Sequence, residues 1–377
     1  MSRSNVILVL TTSAGGGHLI AARALEHALR AQAPDADIEV LDVLAITNVL
    51  FRKFYAGGYL GLVRHAPAVM GWLYKTMDRP RNEVLDALRV WIQDLSKRPI
   101  VQHLLQRHPG LIVHTHYLPA EIVAQMRRAG QLDCPQVTVT TDYETHRIWV
   151  HEPTERYYAA TEDGKVYLTL CGVAPERVRV TGIPVRPGFE QMLDRHEARR
   201  RCGLDLNRPA VLLLCGGFGV GPTAELLREL VFMPAEAQVM VVVGRNEKLR
   251  ARLERQVAGA ARPVRVVGFT DKIHEWMQAA DLVVTKPGGL TVAESLACGL
   301  PMVIVDPIPG QEVGNADYLL EHGAAIKVNN ARLLGHRVSA LLADPARLER
   351  LRAAARAIAR PHAARDIAAD ALALWQT

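Results

Sequence analysis

The chain has 377 residues, 49% of them hydrophobic and 22% charged, with a formal net charge of +6. That length suits two domains, each with a sizeable core, and the balance is that of a globular protein rather than a disordered one. The basic excess suits acidic partners such as nucleotides or phospholipid headgroups.

Val6–Leu10 predicts a strand, Ser13–Gly17 a turn and Leu19–Ala31 an amphipathic helix. Ile38–Val43, Leu111–Val113, Gln136–Thr140 and Val178–Val180 predict further strands, Gly182–Val185 breaks the pattern, and Glu190–Arg201 reads as a charged helix. The same grammar restarts with the buried-type strand Ala210–Leu214, a glycine run over Gly216–Gly221 and a helix through Leu230. Gln238–Val243, Val264–Val267, Leu282–Val284 and Met302–Val305 then alternate with helices. Short apolar strands alternating with helices predict α/β domains with parallel sheets, and two in tandem predict a cleft at the carboxyl ends of the strands. The expected boundaries are 1–187 for the first domain, 188–360 for the second, and 361–377 for a final helix packing back toward the first.

Residues 50–100 break this grammar. They hold nine basic residues against four acidic ones, with seven aromatics among them, Tyr55 and Trp72 included. Arg52, Lys53 and Arg64 beside such rings suit an anionic membrane interface, and a solvated helical insertion with an ordinary apolar face is the alternative. No run of about 20 apolar residues is present to span a membrane, and Val6–Leu10 is too short for a signal peptide. Cys134, Cys171, Cys202, Cys215 and Cys298 show neither a zinc spacing nor a disulfide framework, which fits a reducing cytoplasm.

Two glycine turns stand between strand and helix in the second half. Gly216, Gly217 and Gly219 form one, and Lys286-Pro-Gly288-Gly289-Leu290-Thr291 the other. Backbone N–H groups at such helix starts bind diphosphates, whereas the Walker A order is absent. Glu294, one turn into the following helix, can accept both hydroxyls of a ribose, or simply favour the helix dipole. Gln311 and Glu312, expected on a loop, offer paired groups for sugar hydroxyls. His18 follows Gly16 and Gly17 at the end of the first strand, as a general base or a packing residue. Asp142 opens a polar-aromatic run with His146, Trp149 and His151, whose spacing is not that of a distinctive metal site.

In these motifs the chain resembles the monogalactosyldiacylglycerol synthases and bacterial processive diacylglycerol glucosyltransferases, relatives of the MurG-type enzymes. The resemblance runs from about residue 6 to 325 and is carried by Ser13–His18, Thr141-Asp142, Gly216–Pro222, Gly268–Thr270, Thr285–Glu294 and Pro309–Glu312 with Asn315. It implies a GT-B fold, two Rossmann-like domains facing a cleft. It implies inverting transfer of galactose or glucose from a UDP-sugar to diacylglycerol, with no metal or other cofactor. By carry-over, Gly216, Gly217 and Gly219 would line the phosphates, Gly289, Leu290 and Thr291 would contact the α-phosphate, Gly288 would belong to the same donor site, and Phe269 and Ile273 would lie near the uracil; Lys286 would add a cation there or point into the domain. Glu294 would take the ribose, and Gln311, Glu312 and Asn315 the sugar side. His18 would be the base, with Asp142 either binding the acceptor or serving as the base itself, while Gly16, Gly17, His146 and Trp149 would face the acceptor. The expected partners are UDP-galactose or UDP-glucose, diacylglycerol and an anionic membrane surface, with no nucleic acid. The expected location is cytoplasmic, peripheral on the inner face of the cell membrane. A UDP-sugar epimerase and a non-catalytic UDP-sugar-binding regulator are the competing readings.

Overall fold

The computed structural model describes residues 4–13, 16–47, 97–215 and 222–376. Gly216, Gly217 and Gly219 of the expected donor site lie outside the described residues, as do Arg52, Lys53, Tyr55, Arg64 and Trp72 of the expected membrane surface. Two compact units emerge. One runs to Arg186 and takes in Pro309–Gln311 and the chain from His362 on; the other comprises Pro187–Ile308 and Glu312–Pro361.

The first unit holds β1 (Val6–Thr11), β2 (Asp37–Asp42), β3 (Leu111–His114), β4 (Gln136–Val139), β5 (Arg156–Ala159) and β6 (Val178–Val180). Among the described residues they form a parallel sheet in the order β2-β1-β3-β4-β5-β6. The sequence of β1 explains the layering. Ile7 and Val9 join one core with helices Gly16–Gln32 and Ala363–Gln376, while Leu8 and Leu10 join another with Leu104 and helix Tyr117–Arg128. A strand apolar on both faces is satisfied only between two helical layers. The terminal helix is pinned by polar contacts as well: Tyr158 donates to Asp370 (2.9 Å) and the Trp375 indole donates to the Ser4 carbonyl (3.3 Å). Chain approach there leaves room only for glycine, because a Cβ on Gly110 would stand 2.2 Å from the Ser4 carbonyl oxygen.

The second unit holds β7 (Ala210–Leu214), β8 (Gln238–Val242), β9 (Val264–Val267), β10 (Leu282–Thr285), β11 (Met302–Val305) and β12 (Ala325–Val328), parallel in the order β12-β11-β10-β7-β8-β9 among the described residues. Each sheet grows one way from its first strand and then the other. The reversal falls between β1 and β3 in the first unit and between β7 and β10 in the second, and such switch points are where open α/β sheets bind ligands.

Several elements differ from expectation. β5 reads Arg-Tyr-Tyr-Ala, with no apolar run, yet Tyr157 and Tyr158 are fully buried because each hydroxyl finds an acceptor. β12 is masked by Lys327 in the middle of Ala-Ile-Lys-Val. The charged helix begins at Arg195 rather than Glu190: Asp194 caps it by accepting from His196 N (3.0 Å) and Glu197 N (3.2 Å), and Pro187–Phe189 forms a separate turn.

Candidate active site

In the first unit, polar side chains gather past the carboxyl ends of β1, β3 and β4. Gly16 and Gly17 open the helix after β1 and put His18 in its first turn. His18 Nδ1 lies 3.0 Å from the Thr115 carbonyl oxygen and 2.8 Å from Thr141 Oγ1. A carbonyl oxygen only accepts, so Nδ1 carries the ring proton and Nε2 presents a lone pair. Thr115 Oγ1 donates back to the His18 carbonyl (3.0 Å), so the segments after three strands hold one imidazole in one tautomer. Burial pushes the His18 pKa down to about 4, against the opposing pull of the Thr115 carbonyl, and the ring is neutral at pH 7.

An aromatic wall stands beside it. The His116 ring meets His18 edge-on with centroids 4.7 Å apart, Tyr117 lies 4.2 Å from His116, and Trp149 crosses Tyr117 at 6.2 Å. Both outer histidines are oriented by the backbone. His116 Nδ1 accepts from Leu118 N and His146 Nδ1 from Ile148 N, each at 3.1 Å, and each caps the turn it precedes. Asp142, directly after Thr141, is buried. Its loop is tied down by Thr161, whose Oγ1 donates to the Tyr143 carbonyl (3.1 Å) while accepting from Gly164 N (3.0 Å). Among the described residues, no group of three or more His, Cys, Asp and Glu side chains is placed to hold a metal.

In the second unit, β10 and β11 bring Lys286, Gly288, Asp306 and Glu312 together. Lys286 Nζ pairs with Asp306 Oδ2 at 3.0 Å, and Asp306 takes a left-handed backbone conformation (φ 43°) uncommon for any residue but glycine. Glu312 Oε2 accepts from Ile308 N (2.7 Å); burial pushes its carboxyl pKa up, while that hydrogen bond and the Lys286 charge pull it down. A Cβ on Gly288 would lie 3.7 Å from Glu312 Oε1. Gly288 caps helix Gly289–Ala297 without any side-chain bond, so the N–H groups of Gly289, Leu290 and Thr291 start the helix with no side-chain cap. Glu294 lies one turn in and is buried, away from the capping position. Gln311 and Glu312 are not on a loop, as expected from sequence, but open helix Gln311–Glu321, because the glycine at 310 takes the positive φ (94°) that lets the helix start there. Asn315 follows one turn later, fully buried. Phe269 is half exposed and carries the Arg245 guanidinium 4.6 Å above its ring, and the buried Ile273 opens helix Ile273–Ala279.

Sequence reasoning missed Thr115, His116 and Tyr117, although they follow β3 as Thr141 and Asp142 follow β4. It also missed Asp306 and Arg245, which belong to no glycine motif; their only signal is position just after a strand.

The model of the monogalactosyldiacylglycerol (MGDG) synthase family matches residues 18–185, and that of the glycosyltransferase family 28 C-terminal domain matches 211–371. The chain is 30% identical over 371 residues to a processive diacylglycerol β-glucosyltransferase of Bacillus pumilus, covering 98% of this chain and 95% of that protein. Its counterpart of the same name in Bacillus subtilis is 31% identical over 360 residues, covering 93% and 91%. Among solved structures, Acinetobacter baumannii MurG aligns with a TM-score of 0.59 at 16% identity over 98% of this chain and 99% of that one. Anabaena HepE in complex with UDP and glucose aligns at 0.55 and 16% over 98% and 97%, and a UDP-N-acetylglucosamine 2-epimerase at 0.58 and 14% over 99% and 96%. At these identities the structures share a fold with this chain.

Proposed function

The chain belongs to the family of monogalactosyldiacylglycerol synthases and processive diacylglycerol glycosyltransferases, GT-B enzymes that move a hexose from a UDP-sugar to diacylglycerol, and on that premise we propose how its own residues perform the transfer. The first unit takes the acceptor and the second the donor. His18 Nε2 removes the proton of the acceptor hydroxyl as its oxygen attacks the anomeric carbon; the bond from that carbon to UDP breaks, and the configuration inverts. The observation that carries this reading is the Nδ1 clamp of Thr115 and Thr141, which leaves Nε2 as the free base.

A pKa of about 4 in the unliganded protein makes His18 fully basic but weak. An anionic diphosphate drawn near would favour the imidazolium, so the base strengthens when the donor is bound. Asp142 receives the acceptor headgroup among His116, His146 and Trp149. The leaving UDP gains negative charge, which the helix start at Gly289–Thr291, the glycine run 216–221 and Lys286 stabilise in place of a metal. Glu294 holds the ribose. Gln311, Glu312 and Asn315 serve the sugar, and Phe269, with Arg245 above it, and Ile273 serve the uracil. The relatives named for glucose favour UDP-glucose over UDP-galactose as donor. Among the described residues no helix is long and apolar enough to cross a membrane. On its composition, the basic and aromatic stretch 50–100 would rest on the anionic inner face of the cell membrane to reach its lipid. A UDP-sugar epimerase shares the fold, but the relatives of about 30% identity over nearly the whole chain are named as diacylglycerol glucosyltransferases, so transfer is preferred.

The test is UDP release in the presence of anionic vesicles. Adding diacylglycerol raises release from UDP-glucose more than from UDP-galactose; no rise with either sugar would refute the lipid acceptor.

A further inference from the structure

The second unit has another polar cavity, at the opposite end of its sheet. About 580 Å³ in volume, it is lined by Pro209, Asp281 and Leu300, which precede β7, β10 and β11. Lys286 stands five residues along the chain from Asp281, about 16 Å at a strand rise of ~3.3 Å per residue. The cavity is therefore separate from the strand ends that carry the glycine turns.

Four arginines line it: Arg195, Arg199, Arg352 and Arg356. Asp281 already accepts three hydrogen bonds, from Arg195 Nη1 (2.9 Å), Arg199 Nη2 (2.7 Å) and Ala210 N (2.8 Å). Arg199 is spent on structure, since it also donates to the Ala279 and Leu206 carbonyls. Arg352 differs. Its Nη1 pairs with Glu349 (2.8 Å), but Nη2 is buried, 3.9 Å from Asp281 Oδ1, and hydrogen-bonds to nothing. The residue as a whole is only 9% exposed. Arg356 reaches Glu349 only at 3.6 Å and is more than half exposed. Asp194 also faces the cavity, with one oxygen occupied in capping its own helix. Burial first, and then the neighbouring Arg352 charge, hold the Arg195 guanidinium below its usual pKa, against the pull of Asp281. The rest of the lining mixes apolar side chains, Met277, Leu300, Leu342 and Leu348 among them, with the polar His196, Asn207 and Gln278.

We propose that this cavity binds a phosphate monoester with an apolar body, its phosphate held by Arg195, Arg352 and Arg356. Guanidinium forks match phosphate oxygens, and a dianion offsets the arginine excess while giving Arg352 Nη2 the acceptor it lacks. The leucine and methionine part of the lining, and a volume of about 580 Å³ that far exceeds one phosphate, call for a body attached to it.

The experiment is calorimetric titration of the full chain, saturated with UDP so that the donor site is filled, using hexyl phosphate and inorganic phosphate as probes. Hexyl phosphate binds, and more tightly than inorganic phosphate. Arg352→Gln and the exposed Arg356→Gln each weaken it about tenfold. Sedimentation with vesicles bearing a phosphate-monoester lipid assigns the source. A loss in Arg356→Gln identifies a lipid headgroup, whereas unchanged sedimentation beside weakened hexyl phosphate identifies a soluble ester. Failure of hexyl phosphate to bind in the presence of UDP, or equal binding by wild type and both variants, would overturn the site.

Discussion

His18 is oriented by a main-chain carbonyl and a threonine hydroxyl, at 3.0 and 2.8 Å, and neither brings a charge. A carboxylate in that position would both orient the ring and raise its pKa; neutral acceptors orient it and leave burial to set the pKa near 4. Thr141 is then a positioning residue, and its hydroxyl is the part that matters. Thr141→Val keeps the shape and removes the acceptor, so kcat should fall about tenfold, the scale of one hydrogen bond to a group that becomes charged, with the KM for donor little changed. Thr141→Ser should recover most of the loss. A valine variant with wild-type kcat would show that the Thr115 carbonyl suffices. Of this constellation the sequence displayed His18 and Asp142, because each follows a recognisable strand and turn. The Thr115 carbonyl could not be displayed: a backbone oxygen has no residue-type signature, and only the pairing of β1 with β3 brings it to the ring.

At the scale of elements, the loop from Thr140 to His151 carries Asp142, His146 and Trp149 and has no regular structure beyond the turn Arg147–Trp149. Its anchor is helix Glu162–Leu170, whose cap Thr161 is buried and bonds both to Gly164 N and to the Tyr143 carbonyl. One side chain thus starts a helix and fixes the residue after Asp142. Thr161→Ala should cost about 1 kcal/mol through the lost cap and also loosen Asp142, lowering both Tm and kcat. Thr161→Ser should restore both. If Tm fell while kcat held, the helix would be shown to be irrelevant to the loop. The elements legible in sequence were those with unbroken apolar runs, such as β1, β7 and β11. β5 and β12 were hidden because burial there depends on hydroxyl partners and on a lysine that keeps part of its length in solvent, both of which are decided by tertiary neighbours.

Across the whole molecule the two units repeat one plan, a parallel sheet with a switch point, and the strand and glycine grammar made that repetition readable from sequence. What composition could not show is how unequally the units respond to acid. His18, His114 and His116 all lie in the first unit, and burial holds each below its ordinary pKa. His114 is the extreme case. It is fully buried, its Nε2 donates to Gln136 Oε1 (2.8 Å), and its Nδ1 has no partner to receive a second proton's charge. Burial, against the raising effect of Gln136, and the nearby His151 and Arg127 charges leave its pKa at about 3. The folded value lies below the unfolded one, so on acidification the unfolded chain takes up the proton first. The stability contribution is therefore complete above about pH 6.5 and is lost as pH falls from there toward the folded pKa. At pH 5 the loss from His114 alone is about 2 kcal/mol, worth a Tm decrease of about 4–8 °C for a unit of this size. Calorimetry of the full chain at pH 7.5 and pH 5 should show that decrease, and His114→Gln, which keeps a donor for Gln136 and cannot titrate, should flatten it even if its Tm at pH 7.5 is lower. Equal pH slopes for wild type and variant would mean that acid acts elsewhere and that the His114 pocket opens before its ring is protonated.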